Sequence, residues 1–211
     1  MNARQILALG PVVPVVTLQS ANDAAALAEA LLAGAIQVIE VTLRTPAALD
    51  CIRRIRREVP DIVVGAGTVV TDRQLGEAAD SGAQFIVSPG ATPSLLDAAR
   101  RAGLPFVPGA STVSQSMHLS DEGLDCQKFF PASACGGTAF LAAVSSVLPN
   151  ISYCPTGGID AGNASDYLRL PNVAAVGGSW LAPAGTIERK DWAGVERLAR
   201  EATSLSDNEA S

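Results

Sequence analysis

The residue with the most chemical promise is a lysine set in an apolar run, Lys128 within Cys126-Gln127-Lys128-Phe129-Phe130-Pro131. Lysine is seldom buried without a partner, and desolvation of an ammonium favours the neutral amine. A neutral amine attacks carbonyl carbon and forms a Schiff base. Strand alternation puts Cys126, Lys128 and Phe130 on one face, with Gln127 and Phe129 on the other. The plainer alternative is a surface lysine whose stem covers apolar area. The residues at the other strand ends weigh against it.

A second stretch runs Ile36-Gln37-Val38-Ile39-Glu40-Val41-Thr42-Leu43-Arg44. Its alternation gives Val38, Glu40, Thr42 and Arg44 a common side. Turned toward the interior that holds Lys128, Glu40 would shuttle protons, and the fork of Arg44 would grip a substrate carboxylate in bidentate fashion. The same spacing also fits an internal Glu40–Arg44 ion pair with no chemistry, since perturbed groups mark sites only statistically.

Glycine turns supply the third element. Gly65-Ala66-Gly67-Thr68, Ser88-Pro89-Gly90, Thr156-Gly157-Gly158 and Gly177-Gly178-Ser179 each follow a short β-branched run. Glycine lets backbone N–H groups approach an anion closely, and Ser179 adds a hydroxyl. One Gly-Gly pair is ordinary turn chemistry, whereas two pairs closing successive strands suggest a phosphate site.

Other candidates read as structural. His118 is the single histidine and sits in a polar helical stretch, which favours a solvated surface role and argues against a histidine-based metal site or a Ser-His-Asp triad. Arg53-Arg54-Ile55-Arg56-Arg57 is the outward side of a helix, with Ile52, Ile55 and Val59 inward. Trp180 and Trp192 are packing residues.

These residues need a scaffold that delivers strand ends to one place. Strand patterns fall at residues 12–17, 36–43, 62–65, 84–88, 106–108, 125–130, 152–155 and 173–176. Helical patterns fall between and after them, at 22–33, 47–59, 71–81, 92–102, 111–119, 137–148, 163–170 and 187–204, with Ser111–Leu119 the weakest. An Asn/Asp cap opens the first, Thr-Pro pairs open two others, and Gly34, Gly82 and Gly103 close three. Eight β/α units at about twenty- to thirty-residue spacing are the arithmetic of an α/β (β/α)8 TIM barrel, whose chemistry sits at the C-terminal strand ends. No GxGxxG follows the first strand, as a dinucleotide fold would require. The prediction is one barrel domain over residues 1–211, with residues 205–211 a frayed tail.

Composition narrows the class further. The chain is 48% hydrophobic but only 4% aromatic, so its apolar mass is Ala, Val, Leu and Ile, as in buried parallel strands. A net charge of −6 argues against nucleic acid. Cys51, Cys126, Cys135 and Cys154 form no CxxC pair, and are expected as buried free thiols in a reducing compartment. The opening apolar run is broken by Pro11 and Pro14 and lacks a leader's cleavage site. No membrane span is read, and the expectation is a soluble cytoplasmic protein.

Seven ordered blocks carry a specific likeness: Gly-Pro-Val-Val-Pro-Val (10–15), Glu-Val-Thr-Leu-Arg-Thr (40–45), Val-Gly-Ala-Gly-Thr-Val (64–69), Ser-Pro-Gly (88–90), Lys-Phe-Phe-Pro-Ala (128–132), Cys-Pro-Thr-Gly-Gly-Ile (154–159) and Gly-Gly-Ser-Trp-Leu (177–181). Together they resemble the 2-keto-3-deoxy-6-phosphogluconate (KDPG) and 4-hydroxy-2-oxoglutarate (KHG) aldolase family, from about Ile6 to Ala202. The resemblance implies a class I aldolase that splits KDPG into pyruvate and glyceraldehyde 3-phosphate. It implies Lys128 as the Schiff-base lysine and Glu40 as its acid/base. Arg44, Thr68, Pro89, Phe130 and Thr156 are implied as substrate contacts, and Gly157, Gly158, Gly178 and Ser179 as phosphate contacts. It further implies a homotrimer with no metal or organic cofactor. Gln127, Ser133 and Cys135 depart from the family pattern around the lysine block. Close alternatives are the galactonate stereoisomer or KHG as substrate, and a different class is a phosphosugar-binding barrel that catalyses nothing.

Overall fold

β-branched residues dominate Val12–Val16, which is buried at every position, as a strand covered on both faces must be. This strand, β1, begins a parallel series in the computed structural model, which describes residues 1–205. The others are β2 (Val38–Thr42), β3 (Val63–Gly67), β4 (Ile86–Val87), β5 (Phe106–Val107), β6 (Gly109–Ala110), β7 (Cys126–Phe129), β8 (Ser152–Pro155) and β9 (Val176–Gly178). β1 pairs with β2 and β9, and the ladder continues through β3 and β4 to β5. β6, β7 and β8 form a second parallel run.

Pro108 divides β5 from β6 because it has no N–H to give. Its carbonyl still accepts from Lys128 N at 2.8 Å, so β5 and β6 act as one stave. Bridges Tyr153–Val173 and Thr156–Gly177 join β8 to β9. The ring therefore closes with eight staves, the (β/α)8 barrel expected from the spacing. The predicted strand at 173–176 is shifted: Val173 makes only an isolated bridge, and β9 runs from Val176 to Gly178.

Between the staves lie α2 (Ala24–Ala33), α3 (Ala48–Glu58), α4 (Asp72–Asp80), α5 (Pro93–Ala102), α6 (Val113–Asp121), α7 (Gly137–Ser145), α8 (Ala164–Leu168), α9 (Ala184–Glu188) and α10 (Trp192–Thr203), after a short α1 (Ala3–Leu7). Thr71, Thr92 and Thr112 cap α4, α5 and α6 by accepting from the N–H groups of Gln74, Leu95 and Gln115. Such caps contribute about 1 kcal/mol each. The stretch 111–119 is thus a properly capped helix.

Three expectations are corrected. The Asn/Asp cap before α2 is absent; Ser20 accepts from Asn22 N instead and starts a 3₁₀ turn, Ala21–Asp23. The expected helix over 187–204 is split between α9 and α10, because Lys190 takes a φ of 54° and Asp191 starts a new cap. Cys135 is half-buried rather than buried, while Cys51, Cys126 and Cys154 are buried and all four are free. Most of the predicted tail, residues 206–211, lies outside the described residues.

Two apolar layers result. Outward strand side chains such as Ile39, Val41, Phe129 and Tyr153 join helical Leu27, Leu31, Ile52 and Ile55 in one buried apolar layer, with Phe129 stacked on Phe140 of α7. Full burial contributes about 1.5–3 kcal/mol for each Leu or Ile side chain. The second layer fills the N-terminal end of the lumen with Val13, Val38, Phe85, Val107, Cys126 and Cys154. Ile6 and Leu7 of α1 join it, held by a capping box between Asn2 and Gln5. Ile6 and Leu7 of α1 thus form part of the barrel's floor.

Candidate active site

Two staves carry the central pair. Lys128 lies in β7 opposite Gly109 and Cys154, and Glu40 lies in β2 opposite Val15 and Gly65. The alternation that sends Phe129 and Ile39 outward sends Lys128 and Glu40 into the lumen. Lys128 Nζ donates to Glu40 Oε1 at 3.2 Å, and both residues are 3% exposed. The lysine is dry as expected, and its ammonium also has a carboxylate partner. The Phe130 ring centroid lies 5.6 Å from Nζ, within cation–π range.

The Glu40–Arg44 ion pair left open by the spacing does not form. Glu40 pairs with Lys128, while the exposed Arg44 donates from Nε to Thr68 Oγ1 at 3.1 Å. Thr68 holds a φ of 58°, which is costly for a β-branched residue, on the order of 1–3 kcal/mol. That turn aims its hydroxyl at the guanidinium. Arg44 thereby presents its fork at the mouth of the lumen, suited to a carboxylate.

Pro89 follows β4, and its carbonyl packs so tightly on Gly109 that no side chain fits there. Gly109 in turn is the ladder partner of Lys128. Thr156, 8% exposed, donates its hydroxyl to Cys154 O at 3.3 Å and accepts, through Thr156 O, from Ala132 N at 2.8 Å. Gly157 and Gly158 have φ values of 100° and 75°, conformations that glycine alone adopts freely. Gly178 lies under the Trp180 ring, and the exposed Ser179 follows it at the end of β9. Lys128 and Glu40 thus lie within their strands, and the other expected residues sit at C-terminal strand ends or just beyond. Direct contacts link Lys128 with Glu40 and Arg44 with Thr68.

Reading the sequence missed two supports. Gly67 lies beneath Glu40, where any Cβ would fall on the carboxylate; glycine within a strand pattern is the signal that finds such close approaches. Thr17 and Thr42 share a hydroxyl–hydroxyl hydrogen bond of 2.8 Å, with Thr42 two residues beyond Glu40 on the same face. Nothing in one chain's spacing pairs them, because they meet across separate staves.

Burial pushes the Cys154 thiol up to about 12 despite the neighbouring Lys128 charge. This leaves it inert beside the amine. His118 is exposed, as expected, and lines a small cavity with Pro89 and Gln115. Among the described residues there is no cluster of three or more His, Cys, Asp or Glu able to hold a metal. A cavity of about 550 Å³ opens at the opposite end of the barrel, around Arg4, Leu96, Arg100 and Phe106. Its arginines already have partners in Ser152, Asp97 and Glu122.

The family model for KDPG and KHG aldolase matches residues 3–198. A 2-dehydro-3-deoxy-phosphogluconate aldolase of Pseudoalteromonas atlantica is 47% identical over 202 residues, covering 96% of this chain and 94% of that protein. A KHG/KDPG aldolase of Escherichia coli K12 is 49% identical over 201 residues, covering 95% and 94%. The crystal structure of KDPG aldolase from Legionella pneumophila, with pyruvate captured as a covalent carbinolamine intermediate, superposes with a TM-score of 0.94 at 43% identity, covering 97% of this chain and 99% of that one.

Proposed function

This chain belongs to the KDPG and KHG aldolase family, and from that premise we propose how its own residues carry out the reaction. The protein is a class I aldolase, a lyase that cleaves KDPG to pyruvate and glyceraldehyde 3-phosphate. The observation that carries the residue assignment is the buried 3.2 Å contact between Lys128 Nζ and Glu40 Oε1.

Glu40 takes a proton from Lys128, and the freed Nζ adds to the C2 ketone. The carbinolamine loses its hydroxyl as water, with Glu40 returning the proton. The resulting protonated imine is an electron sink. Glu40, through a water molecule, then removes the C4 hydroxyl proton, and the C3–C4 electrons flow into the imine as the bond breaks. Glyceraldehyde 3-phosphate departs. Protonation of the enamine at C3 and hydrolysis release pyruvate and restore the amine. Proton transfer by a positioned carboxylate contributes about 10²–10⁴-fold.

Arg44 and Thr68 hold the keto-acid carboxylate, Pro89 and Phe130 line the pocket, and Thr156 meets the substrate's middle. Gly157, Gly158, Gly178 and Ser179 hold the phosphate. Fixing both ends places C2 against the amine, an orientation effect of up to roughly 7–11 kcal/mol. The pairing of KHG with KDPG in the E. coli relative's name supports KHG as a second substrate of the same amine. The family likeness also supports a homotrimer working in the cytoplasm. No described helix is long and apolar enough to cross a membrane.

The test is borohydride reduction in the presence of pyruvate, followed by mass spectrometry of the peptides. A reduced pyruvyl adduct on Lys128 is expected. Adduct on another residue, or none, removes the assignment.

A further inference from the structure

Three consecutive carbonyls after β8 are tied back to the segment that follows the lysine strand. Thr156 O accepts from Ala132 N at 2.8 Å, and Gly157 O from Ser133 N at 3.1 Å. Gly158 O accepts twice, from Ser133 Oγ and from Asn163 Nδ2, each at 3.0 Å. Asn163 is itself oriented, because its Oδ1 accepts from Asp160 N at 3.0 Å.

In a trans peptide the C=O and the following N–H point in opposite directions. Turning these three carbonyls toward Ala132, Ser133 and Asn163 therefore turns the N–H groups of Gly157, Gly158 and Ile159 the other way. Among the described residues the N–H groups of Gly158 and Ile159 have no protein acceptor, while that of Gly157 is turned to Gly177 of β9 across the Thr156–Gly177 bridge. Successive N–H groups in a turn can form an anion-binding concavity, and the positive φ values of Gly157 and Gly158 make such a turn after β8. Ser133 fits so closely over Gly158 that a Cβ there would run into it.

The structure assigns Ser133 and Asn163 as positioning residues that hold the Gly158 carbonyl so that the adjoining N–H groups face the substrate's phosphate. Ser133 touches no substrate in this assignment. It also ties the phosphate grip to the stave that carries Lys128, because Phe129 to Ser133 follow that lysine directly. The assignment rests on the phosphate role given above to Gly157 and Gly158, and it goes beyond that role by naming what aims them.

The test uses the full chain and the variants Ser133→Ala, Asn163→Ala, the double variant and Ser133→Thr. Inorganic phosphate is titrated and followed by phosphorus NMR, and cleavage of KDPG and of unphosphorylated KHG is measured in parallel. Loss of one such hydrogen bond costs several-fold in affinity. The double variant should therefore bind phosphate about tenfold more weakly and raise KM for KDPG about tenfold, with kcat within about twofold. KHG cleavage should move less than about twofold, and Ser133→Thr should keep the native affinity. Unchanged phosphate affinity in the double variant, or equal losses on KDPG and KHG, overturns the assignment. Pyruvate and borohydride labelling of Lys128 separates the two levels: wild-type protein that labels but does not bind phosphate loses the phosphate grip alone, and protein that binds phosphate without labelling loses the Schiff-base reading alone.

Discussion

Lys128 Nζ and Glu40 Oε1 lie 3.2 Å apart across the lumen, with their side chains only 4% and 3% exposed. A buried pair of this kind is weak as a source of stability but severe when halved, because the remaining charge has no partner. Lys128→Met should abolish the pyruvate adduct and lower kcat by about 10⁴-fold or more. It should also cost about 3–5 kcal/mol of stability if Glu40 stays ionised. Chemical denaturation beside the activity assay separates the two effects.

Glu40→Gln keeps the shape and removes the proton acceptor. We expect a fall of about 10²–10⁴-fold in kcat, with slow borohydride labelling of Lys128 still detectable after long incubation. Labelling as fast as wild type would take Glu40 out of the proton path.

Gly67→Ala probes the same carboxylate from below. Its Cβ would fall on Glu40, so the carboxylate must move away from Nζ. Overpacking at a filled site costs about 1–3 kcal/mol, and kcat should drop at least about tenfold. Normal turnover in a folded Gly67→Ala protein would show that the position of Glu40 is unimportant.

Arg44→Lys keeps the charge and loses the planar fork. Charge-assisted hydrogen bonds are worth about 1.5–3 kcal/mol, so KM for both KDPG and KHG should rise about tenfold or more. Steady-state kinetics on both substrates checks this, since both carry the keto-acid end.

Alkaline stability follows from two thiols. Burial raises Cys51 from 9.0 to about 11 and Cys154 from 9.0 to about 12. The unfolded chain therefore loses these protons first, so the stabilisation is complete below about pH 9 and declines as pH rises toward 11–12. Each thiol contributes a slope of at most about 1.4 kcal/mol per pH unit. Denaturant titrations between pH 8 and pH 10.5 should show the decline, and Cys51→Ala with Cys154→Ala should flatten it.

Periodicity was sufficient for the barrel because parallel staves buried on both faces leave continuous Val/Ile runs, as in Val12–Val16. Alternation separated the face of Lys128 and Glu40 from its neighbours, and the structure turns that face into the lumen. Boundaries were less visible where a single backbone torsion decides them: Lys190 at a φ of 54° ends a helix that the apolar pattern carries straight through. Cross-stave partnerships were hidden for a different reason. Arg44 chose Thr68 over Glu40, and that choice depends on the left-handed turn of a threonine, which no spacing rule announces. The Ser133 bond to Gly158 is equally invisible, since it joins loops 25 residues apart on separate staves.

The floor built from α1 also shapes the traffic of the reaction. With Ile6 and Leu7 packed into one end of the lumen, the amine is approached from the C-terminal strand ends, where Arg44 and Thr68 meet. Cleavage frees the aldehyde half while the three-carbon half is still tethered to Lys128, so departure is sequential: the untethered fragment leaves first, and protonation of the enamine at C3 followed by hydrolysis of the imine then releases the other.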